Sequence, residues 1–375
     1  MPTGLLYSDY RPGTPTEHPT VSFELYPPRN PSKVSGIWAG VNKLATARPD
    51  YVSVTYGAGG SGGDTRDTSV QVLLNMIDRH PGLPAVAHLT CLGSTPAEMT
   101  LIIRLLLRAG VRDFLALRGD PPADDPDYSP TPGTLTHAAE LVELIREVAA
   151  DELPHGVGTG PGGSGAATAP VVEDYVSIGV AAYPASRGAK RDGDLAALTD
   201  KARAGADFAI TQVFYDPEDY ISLVRELAFT GVRLPVVPGI LPLHDLRRLR
   251  AMERLAGIPV PAPLEEIHAT ADPALRVRRA LGATAQLMTR VLDAGAPGVH
   301  LYTFNRPRPT LDLLEYLRAA GYLRQHASAV TGLPGTAGAL GGADPARRQA
   351  HRIARGQAVD SELVGLALRR LTPAV

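Results

Sequence analysis

Hydrophobic residues along the chain fall into short, nearly continuous runs that alternate with amphipathic stretches. Such runs are typical of parallel strands that are covered on both faces. The pattern therefore predicts an alternation of strands and helices through most of the chain. The eight predicted strands are 21–25, 51–57, 85–91, 113–119, 175–183, 207–215, 235–241 and 298–304.

One stretch between these runs shows how the helices are recognised. Residues 96–109 place Met99, Ile102, Ile103, Leu106 and Leu107 on a single stripe, which is the periodicity of an amphipathic helix. The stretch opens with Thr-Pro-Ala-Glu, a capping box with proline at the first helical position, and a glycine follows its end. These signals predict a helix with defined ends.

A weak internal repeat supports an ordered α/β architecture. The segments RAGVRDFLALRGD, RAGADFAITQVFYD and DAGAPGVHLYTFNR each run from a helix end through Ala-Gly into a strand. Each also carries a charged residue at the carboxyl end of its strand, namely Asp120, Asp216 and Arg306. Eight such units predict a (β/α)8 TIM barrel, whose functional residues collect at the strand carboxyl ends. A doubly wound open sheet is the alternative, although it usually contains fewer units.

Three segments stand outside the predicted barrel of residues 21–324. Residues 1–20 contain four prolines and are expected to be irregular. Residues 153–170 form a Gly/Pro-rich insertion before the fifth strand, which predicts a mobile loop. Residues 325–375 begin as a flexible linker and continue as a basic, amphipathic helical tail, expected to be loosely docked or disordered.

Composition and charge narrow the class of protein. The chain has 375 residues, 44% of them hydrophobic and 20% charged, which is enough to form a full core. Its net charge of -2 gives no reason to expect nucleic acid or an anionic membrane as a partner. Cys91 is the only cysteine, which excludes an intramolecular disulfide and a cysteine-based zinc site. No secretion signal or membrane-length apolar stretch is visible, so a soluble cytoplasmic protein is expected.

Glu24 is the first candidate for chemistry, because a carboxylate interrupts the apolar run VSFEL just before two prolines. Burial at a strand end disfavours the ionised form, so its pKa is expected to rise and the group can hold a proton near neutrality. The structural alternative is an ion pair with an arginine such as Arg29.

Other strand ends carry further candidates. In LALRGDPP, Arg118 and Asp120 flank a glycine and together offer a cation, an anion and a backbone amide, or else an ordinary salt bridge. His88 and Thr90 share one side of the third strand, but no second ligand lies at metal-binding spacing. In ITQVFYD, Gln212 and Phe214 suit a planar heterocycle, unless one of them belongs to the core.

The glycine-rich segment 54–65 follows the second strand and invites a phosphate-binding interpretation. It fits neither the Walker pattern nor the dinucleotide GxGxxG pattern. The sequence instead predicts a mobile lid over the mouth of the barrel.

Taken together, these stretches resemble the methylenetetrahydrofolate reductase family from about residue 21 to residue 320. The resemblance is carried by FELYPPR, YVSVTYGAGG, AHLTC, ALRGDPP, AAYP, RAGADFAITQVFYD, VVPGILP and HLYTFNR, in order. It implies an FAD-bearing barrel that takes a hydride from NAD(P)H and converts 5,10-methylenetetrahydrofolate to 5-methyltetrahydrofolate, supplying methyl groups for methionine synthesis. The family forms dimers or tetramers, so a homo-oligomer is also implied, of a size that the sequence leaves open.

The resemblance also implies roles for individual residues. Glu24 matches the general acid that opens the folate's five-membered ring to an iminium, and Asp120 matches the aspartate beside the flavin pyrimidine. Gln212 matches the residue that binds the pterin, with Phe214 beside it. Tyr302 and Arg306 fall in the last-strand motif near the substrate. The remaining matched positions hold FAD: Thr55, His88, Thr90, Arg118, Gly119, Tyr183, Asp194 and Lys201.

The sequence departs from the family pattern mainly on the adenine side of the flavin. A His-Pro-Glu segment after AAYP is replaced by the shorter 185–193, and His137 stands where a flavin-contacting tyrosine is expected. Ala197 and Asp200 replace an asparagine and an arginine, and His268 aligns near a substrate-stacking aromatic residue. Two alternatives therefore stay open: the same reduction by direct hydride transfer without flavin, and a folate-binding protein without turnover.

Overall fold

The structure, a computed structural model, describes residues 2–28, 30–55, 66–121, 128–153 and 175–324. Most of the glycine-rich segment 54–65, nearly all of the insertion 153–170 and the whole of 325–375 lie outside these residues, so the predictions for them are not addressed.

A parallel sheet of nine strands forms the centre of the described chain. Its spatial order is β7-β6-β5-β4-β3-β2-β1-β9-β8, and every pairing is parallel. The strands are β1 Thr20–Leu25, β2 Tyr51–Val54, β3 Ala85–Thr90, β4 Asp113–Leu117, β5 Ser177–Ala182, β6 Phe208–Thr211, β7 Val236–Val237, β8 Gly239–Ile240 and β9 Gly298–Tyr302.

The two edge strands of this order are halves of one strand, which closes the sheet. Only Pro238 separates β7 from β8, and a proline cannot donate to a strand ladder. The Pro238 carbonyl still accepts a hydrogen bond of 2.9 Å from the backbone N–H of His300. The seventh strand therefore joins β6 on one side to β9 on the other, and the (β/α)8 TIM barrel is confirmed.

Helices surround the barrel and cover its apolar outer face. They are α1 Val34–Ala45, α2 Arg66–Arg79, α3 Pro96–Arg108, α4 Ala138–Glu152, α5 Gly188–Arg203, α6 Pro217–Phe229, α7 Leu246–Ala256, α8 Ala262–His268, α9 Pro273–Asp293 and α10 Thr310–Ala319. Among the described residues, no helix is long and apolar enough to cross a membrane.

Helix α3 confirms the prediction made from its capping signals. The Thr95 side chain accepts from the backbone N–H of Glu98 at 3.2 Å, and the Glu98 carboxylate accepts from the Thr95 N–H at 2.8 Å. Met99, Ile103 and the Leu106–Leu107 pair are buried against the barrel. Reciprocal capping satisfies two backbone donors that a helix start otherwise leaves unpaired.

Residues 1–20 are predicted to be irregular, and one short element forms among the described ones. Thr3–Tyr7 forms a 3-10 helix that enters the amino-terminal end of the barrel. Its backbone donates from Thr3 to the Asp113 carboxylate at 2.6 Å and from Gly4 to the Ser177 hydroxyl at 2.8 Å. These bonds join the segment to β4 and β5, so it closes one end of the barrel.

Tyr7 is the side chain with which this segment fills the barrel interior. Its ring lies 5.4 Å from that of Phe208, in a cluster with Tyr51 and other inward residues of the barrel. Its hydroxyl lies 3.1 Å from the hydroxyls of Thr20 and Tyr51. Closing the amino-terminal end in this way leaves the carboxyl ends of the strands as the open face.

We expect Tyr7→Ala to lower the free energy of unfolding by about 3–5 kcal/mol, because it leaves a cavity in the barrel interior. Tyr7→Phe is the matched control: it keeps the ring and loses only the hydroxyl bonds, at a cost of about 1 kcal/mol. Urea unfolding followed by circular dichroism measures both. Equal and small losses in the two variants would show that the segment does not support the barrel.

Candidate active site

Glu24 lies at the carboxyl end of β1, where its strand neighbours are Ser53 on β2 and Tyr302 on β9. Its side chain is half-buried, and its carboxyl has no hydrogen-bond or ion-pair partner among the described residues. Burial raises the pKa of Glu24 to about 8, because the protonated carboxyl is favoured when water is removed and no cation of the described chain lies beside it. Arg29, the alternative partner, lies outside the described residues.

The backbone around Glu24 is held by the loop that follows β9. The Thr303 hydroxyl donates to the Glu24 carbonyl at 2.8 Å. The Asn305 side chain accepts from the Tyr26 N–H at 2.9 Å and donates to the Tyr26 carbonyl. Phe304 and Asn305 both adopt positive φ, 50° and 59°, a conformation that asparagine tolerates better than most residues. We refer to these contacts as the β1 clamp, and they fix the direction of the acid.

Tyr302 covers one side of the same site. Its hydroxyl donates to the Thr211 carbonyl at 2.7 Å, and burial followed by the charge of Glu24 raises the pKa of Tyr302. Gly239 makes this contact feasible, because an added Cβ would lie 2.2 Å from the Thr211 carbonyl oxygen and 2.7 Å from the Tyr302 hydroxyl. Gln212 follows Thr211 directly, and its side-chain oxygen accepts from the Val213 N–H at 2.9 Å.

A second group of predicted residues gathers at the ends of β3, β4 and β5. Burial raises the pKa of Tyr183, and the charges of Asp120 and Asp194 raise it further, which places all three within electrostatic range. Gly119 has φ of 88°, and a Cβ added there would lie 3.1 Å from that of Thr90. Arg118 and Asp120 are exposed and form no ion pair with each other.

Two buried bases belong to this group. His88 is 5% exposed, its Nε2 has no hydrogen-bond partner within the described chain, and burial lowers its pKa to about 3. Lys201 is 8% exposed and donates from Nζ to the Ala181 carbonyl at 2.8 Å, with Nζ 5.7 Å from the Tyr183 ring centroid. Burial lowers the pKa of Lys201 to about 8, and Asp194 opposes that shift. Thr55 is buried at the end of β2.

The loop that departs from the family pattern is tied down by its own side chains. The Ser186 hydroxyl donates to the Asp194 carboxylate, and Arg187 pairs with Asp219. Arg191 pairs with Glu226 at 2.8 Å and also donates to the Pro184 carbonyl at 2.8 Å. The positive charges of Arg187 and Arg191 are therefore paired with carboxylates of the protein itself.

Phe214 is placed differently from the sequence prediction. It is 1% exposed and stacks on Tyr220 of α6 at 6.1 Å, within the core between barrel and helices. Because β6 ends at Thr211, the alternation of faces does not continue to residue 214, and the Phe214 side chain lies in the core. Its expected contact with the substrate stays a prediction. The structure agrees with the alternative interpretation, in which one residue of the pair Gln212 and Phe214 belongs to the core.

The remaining residues singled out from the sequence make mainly structural contacts. His137 is exposed before α4 and bonds to Thr136, and His268 Nε2 lies 2.9 Å from the Leu243 carbonyl. Cys91 is buried, and burial raises the pKa of its thiol to about 11, so it is protonated at neutral pH. Within the described ranges, no cluster of three or more His, Cys, Asp or Glu is arranged to hold a metal ion.

Sequence reasoning missed the β1 clamp and the side chain of Arg248. Arg248 on α7 has its guanidinium carbon 4.5 Å from the Phe304 ring centroid, and its charge interacts with that of Arg306. Asn305 could have been recognised as a turn residue, since it lies within the motif HLYTFNR and asparagine tolerates the left-handed region. No local pattern could have identified Arg248, because it comes close to Arg306 only when the chain folds.

Comparisons with known proteins agree with this geometry. The family model described as Methylenetetrahydrofolate reductase matches residues 11–318. The 5,10-methylenetetrahydrofolate reductase of Escherichia coli (strain K12) is 31% identical over 292 residues, covering 76% of this chain and 86% of that protein. The probable methylenetetrahydrofolate reductase (NADH) of Oryza sativa subsp. japonica is 28% identical, covering 78% of this chain and 47% of that protein.

A solved structure supports the fold alone. A protein from Clostridium thermocellum, which binds two copies of 5-methyl-5,6,7,8-tetrahydrofolic acid, superposes with a TM-score of 0.51 at 14% identity. The match covers 76% of this chain and 88% of that one.

Glu24→Gln is expected to stabilise the protein increasingly as pH rises. The folded state holds a proton on Glu24 up to about pH 8, whereas the unfolded chain releases it near the ordinary value of 4.5. The wild type therefore loses stability between these pH values, and the variant does not. The difference should be absent near pH 4 and reach about 1–3 kcal/mol at pH 8.5, allowing for partial solvent contact. Urea unfolding at both pH values measures it, and a pH-independent difference would contradict the raised pKa.

Proposed function

The chain belongs to the methylenetetrahydrofolate reductase family, and we propose from that premise that it reduces 5,10-methylenetetrahydrofolate to 5-methyltetrahydrofolate with NAD(P)H through bound FAD. The observation that carries the proposal is the isolated carboxyl of Glu24, whose pKa is raised to about 8 at the open end of the barrel. A protein that only binds folate has no need for a half-buried acid without a counter-charge. The product would supply methyl groups for methionine synthesis.

Glu24 serves this reaction as a general acid. Forming a 5-methyl product requires the bond between the bridging carbon and N10 to break, and a proton delivered to N10 makes that nitrogen a better leaving group. A carboxyl with pKa of about 8 is protonated at neutral pH and can deliver that proton. The β1 clamp holds the backbone on both sides of the acid, so its direction is set before substrate arrives.

Asp120 and Gln212 fit the remaining requirements. Opening the ring leaves a cationic iminium, which an exposed carboxylate such as Asp120 stabilises electrostatically. The Gln212 side chain, whose oxygen accepts from the Val213 N–H, can present its NH2 group to the edge of the pterin. Tyr302 and Arg306 complete the substrate side of the proposal, and Phe214 is left out of it because it lies in the core.

The residues that the family assigns to FAD fit that cofactor at its reactive end. The buried Nε2 of His88 has no hydrogen-bond partner among the described residues, so it can form a hydrogen bond with an atom of the flavin ring. The backbone at Gly119 has the left-handed conformation that lets a ligand approach closely, with Asp120 and Tyr183 beside it. FAD, when bound, supplies the chemistry that accepts a hydride from NAD(P)H and passes it to the folate.

The adenine end fits less well, which supports a second candidate. Asp194 is engaged by Ser186, Asp200 lies 3.7 Å from Arg203, and Ala197 has no polar side chain. These contacts favour weaker FAD binding and are compatible with direct hydride transfer from nicotinamide to the folate.

Bound flavin separates the two candidates. We expect protein purified without added cofactor, or reconstituted with FAD, to show flavin absorption bands near one equivalent, quantified after denaturation. A colourless protein that does not bind added FAD but oxidises NAD(P)H with methylenetetrahydrofolate would replace the first candidate with the second.

The role of Glu24 has its own test. We expect Glu24→Gln to lose about 100- to 10,000-fold in reduction of methylenetetrahydrofolate, because the proton donor is gone. NAD(P)H oxidation with an artificial electron acceptor is the internal control, since that half of the reaction needs no proton on N10, and it should persist. In the wild type, folate reduction should fall as pH rises through about 8. Equal losses in both half-reactions would remove Glu24 from the role of acid.

A further inference from the structure

Helix α3 is apolar on its outer face as well as on the face that packs against the barrel. Four side chains on its inner side are buried, namely Met99, Ile103, Leu106 and Leu107. On the outer side, Leu101 is 68% exposed and Leu105 is 56% exposed. The adjacent helix α4 instead exposes Glu143, Glu147 and Asp151. A helix that is hydrophobic on all sides is usually buried, so the outer face of α3 is suited to contact with another apolar surface.

The exposed apolar residues of α3 form a ridge that is complementary to itself. Ala97, Leu101 and Leu105 are exposed and follow one another at every fourth position, which places them along one row of the helix surface. Leu101 and Leu105 stand at equal distances in sequence before and after Ile103. A two-fold axis at the level of Ile103 would place Leu101 of one copy opposite Leu105 of a second copy. The same surface can thus supply both sides of an isologous contact.

Charged side chains at the two ends of α3 favour an antiparallel arrangement. Glu98 is exposed in the first turn, and Arg108, whose side chain is 72% exposed, ends the helix. Arg108 donates to the Glu152 carboxylate at 3.0 and 3.2 Å, which uses two of the five N–H donors of its guanidinium. Antiparallel copies would bring Arg108 of each copy near Glu98 of the other, whereas parallel copies would bring like charges together. The charges therefore select the same orientation as the leucines.

We propose that two copies of this chain associate through the outer faces of α3, antiparallel about a two-fold axis at the level of Ile103. Leu101 and Leu105 of both copies form the apolar centre of the contact, and the pairs of Glu98 with Arg108 lie at its rim. The 13 residues of α3 span about 20 Å, so the contact is smaller than a standard interface and its Kd is expected in about the micromolar range.

Sedimentation velocity of the full chain tests the association. We expect a dimer whose fraction rises with concentration, and Leu105→Asp should raise its Kd about 100-fold, because an isologous contact loses the leucine twice at about tenfold each. Leu255→Asp is the matched control, since Leu255 is 58% exposed on α7 and lies outside the contact. A wild type that stays monomeric at about 0.1 mM, or an oligomer that Leu105→Asp leaves unchanged, would overturn the inference.

Cysteine cross-linking tests the orientation of the two copies. Leu101→Cys and Leu105→Cys are prepared as separate proteins and oxidised alone or as a mixture, and the native thiol of Cys91 is buried. The mixture should form disulfide-linked dimers faster than either protein alone, because residue 101 of one copy faces residue 105 of the other. Fastest cross-linking of Leu101→Cys with itself would indicate a parallel contact and contradict the proposal. Neither test measures turnover, so failure of the inference leaves the proposed function standing.

Discussion

The pairing of β1 with both β2 and β9 is the constraint on which the rest of the molecule depends. It closes a sheet of parallel strands, and closure brings residues from opposite ends of the chain to one rim. The closure needs backbones that approach without side chains between them. At Gly298 an added Cβ would lie 2.0 Å from the Thr20 hydroxyl, and at Gly239 it would meet the Thr211 carbonyl. Closure of the barrel therefore requires glycine at these two positions, and the site depends on that closure.

Glu24 is an acid without a compensating charge at that rim. Its carboxyl has no ion-pair partner among the described residues, and burial raises its pKa to about 8. The Asp207 side chain, by contrast, pairs with Arg146 at 2.7 Å. An acid that burial keeps neutral, without a cation beside it, is typical of a functional site.

The loop after β9 holds the backbone of β1 beside this acid. It places Thr303 and Asn305 against the backbone of β1, and it carries Phe304 under Arg248. Because two successive residues there have positive φ, the turn is tight and its direction is set by the backbone as well as by side chains. The loop therefore holds the backbone next to the acid and places the Phe304 ring against Arg248.

The sequence by itself determined the alternation of strands and helices, the capping of α3 and the identity of Glu24 as a buried acid. These follow from local periodicity and from the cost of placing a charge in an apolar strand, and neither needs knowledge of distant residues. All eight predicted strands are present, although most end earlier than their apolar runs, because apolar residues continue into the packed loops.

Only the tertiary structure decided which side chains face the site. It directed Phe214 into the core, because β6 stops at Thr211, and it used the first residues of the chain to close the barrel. It also brought Arg248 to Arg306, which are far apart in sequence and share no motif. Contacts between residues so distant in sequence depend on where each strand ends and on how the barrel closes, and no local sequence pattern determines either one.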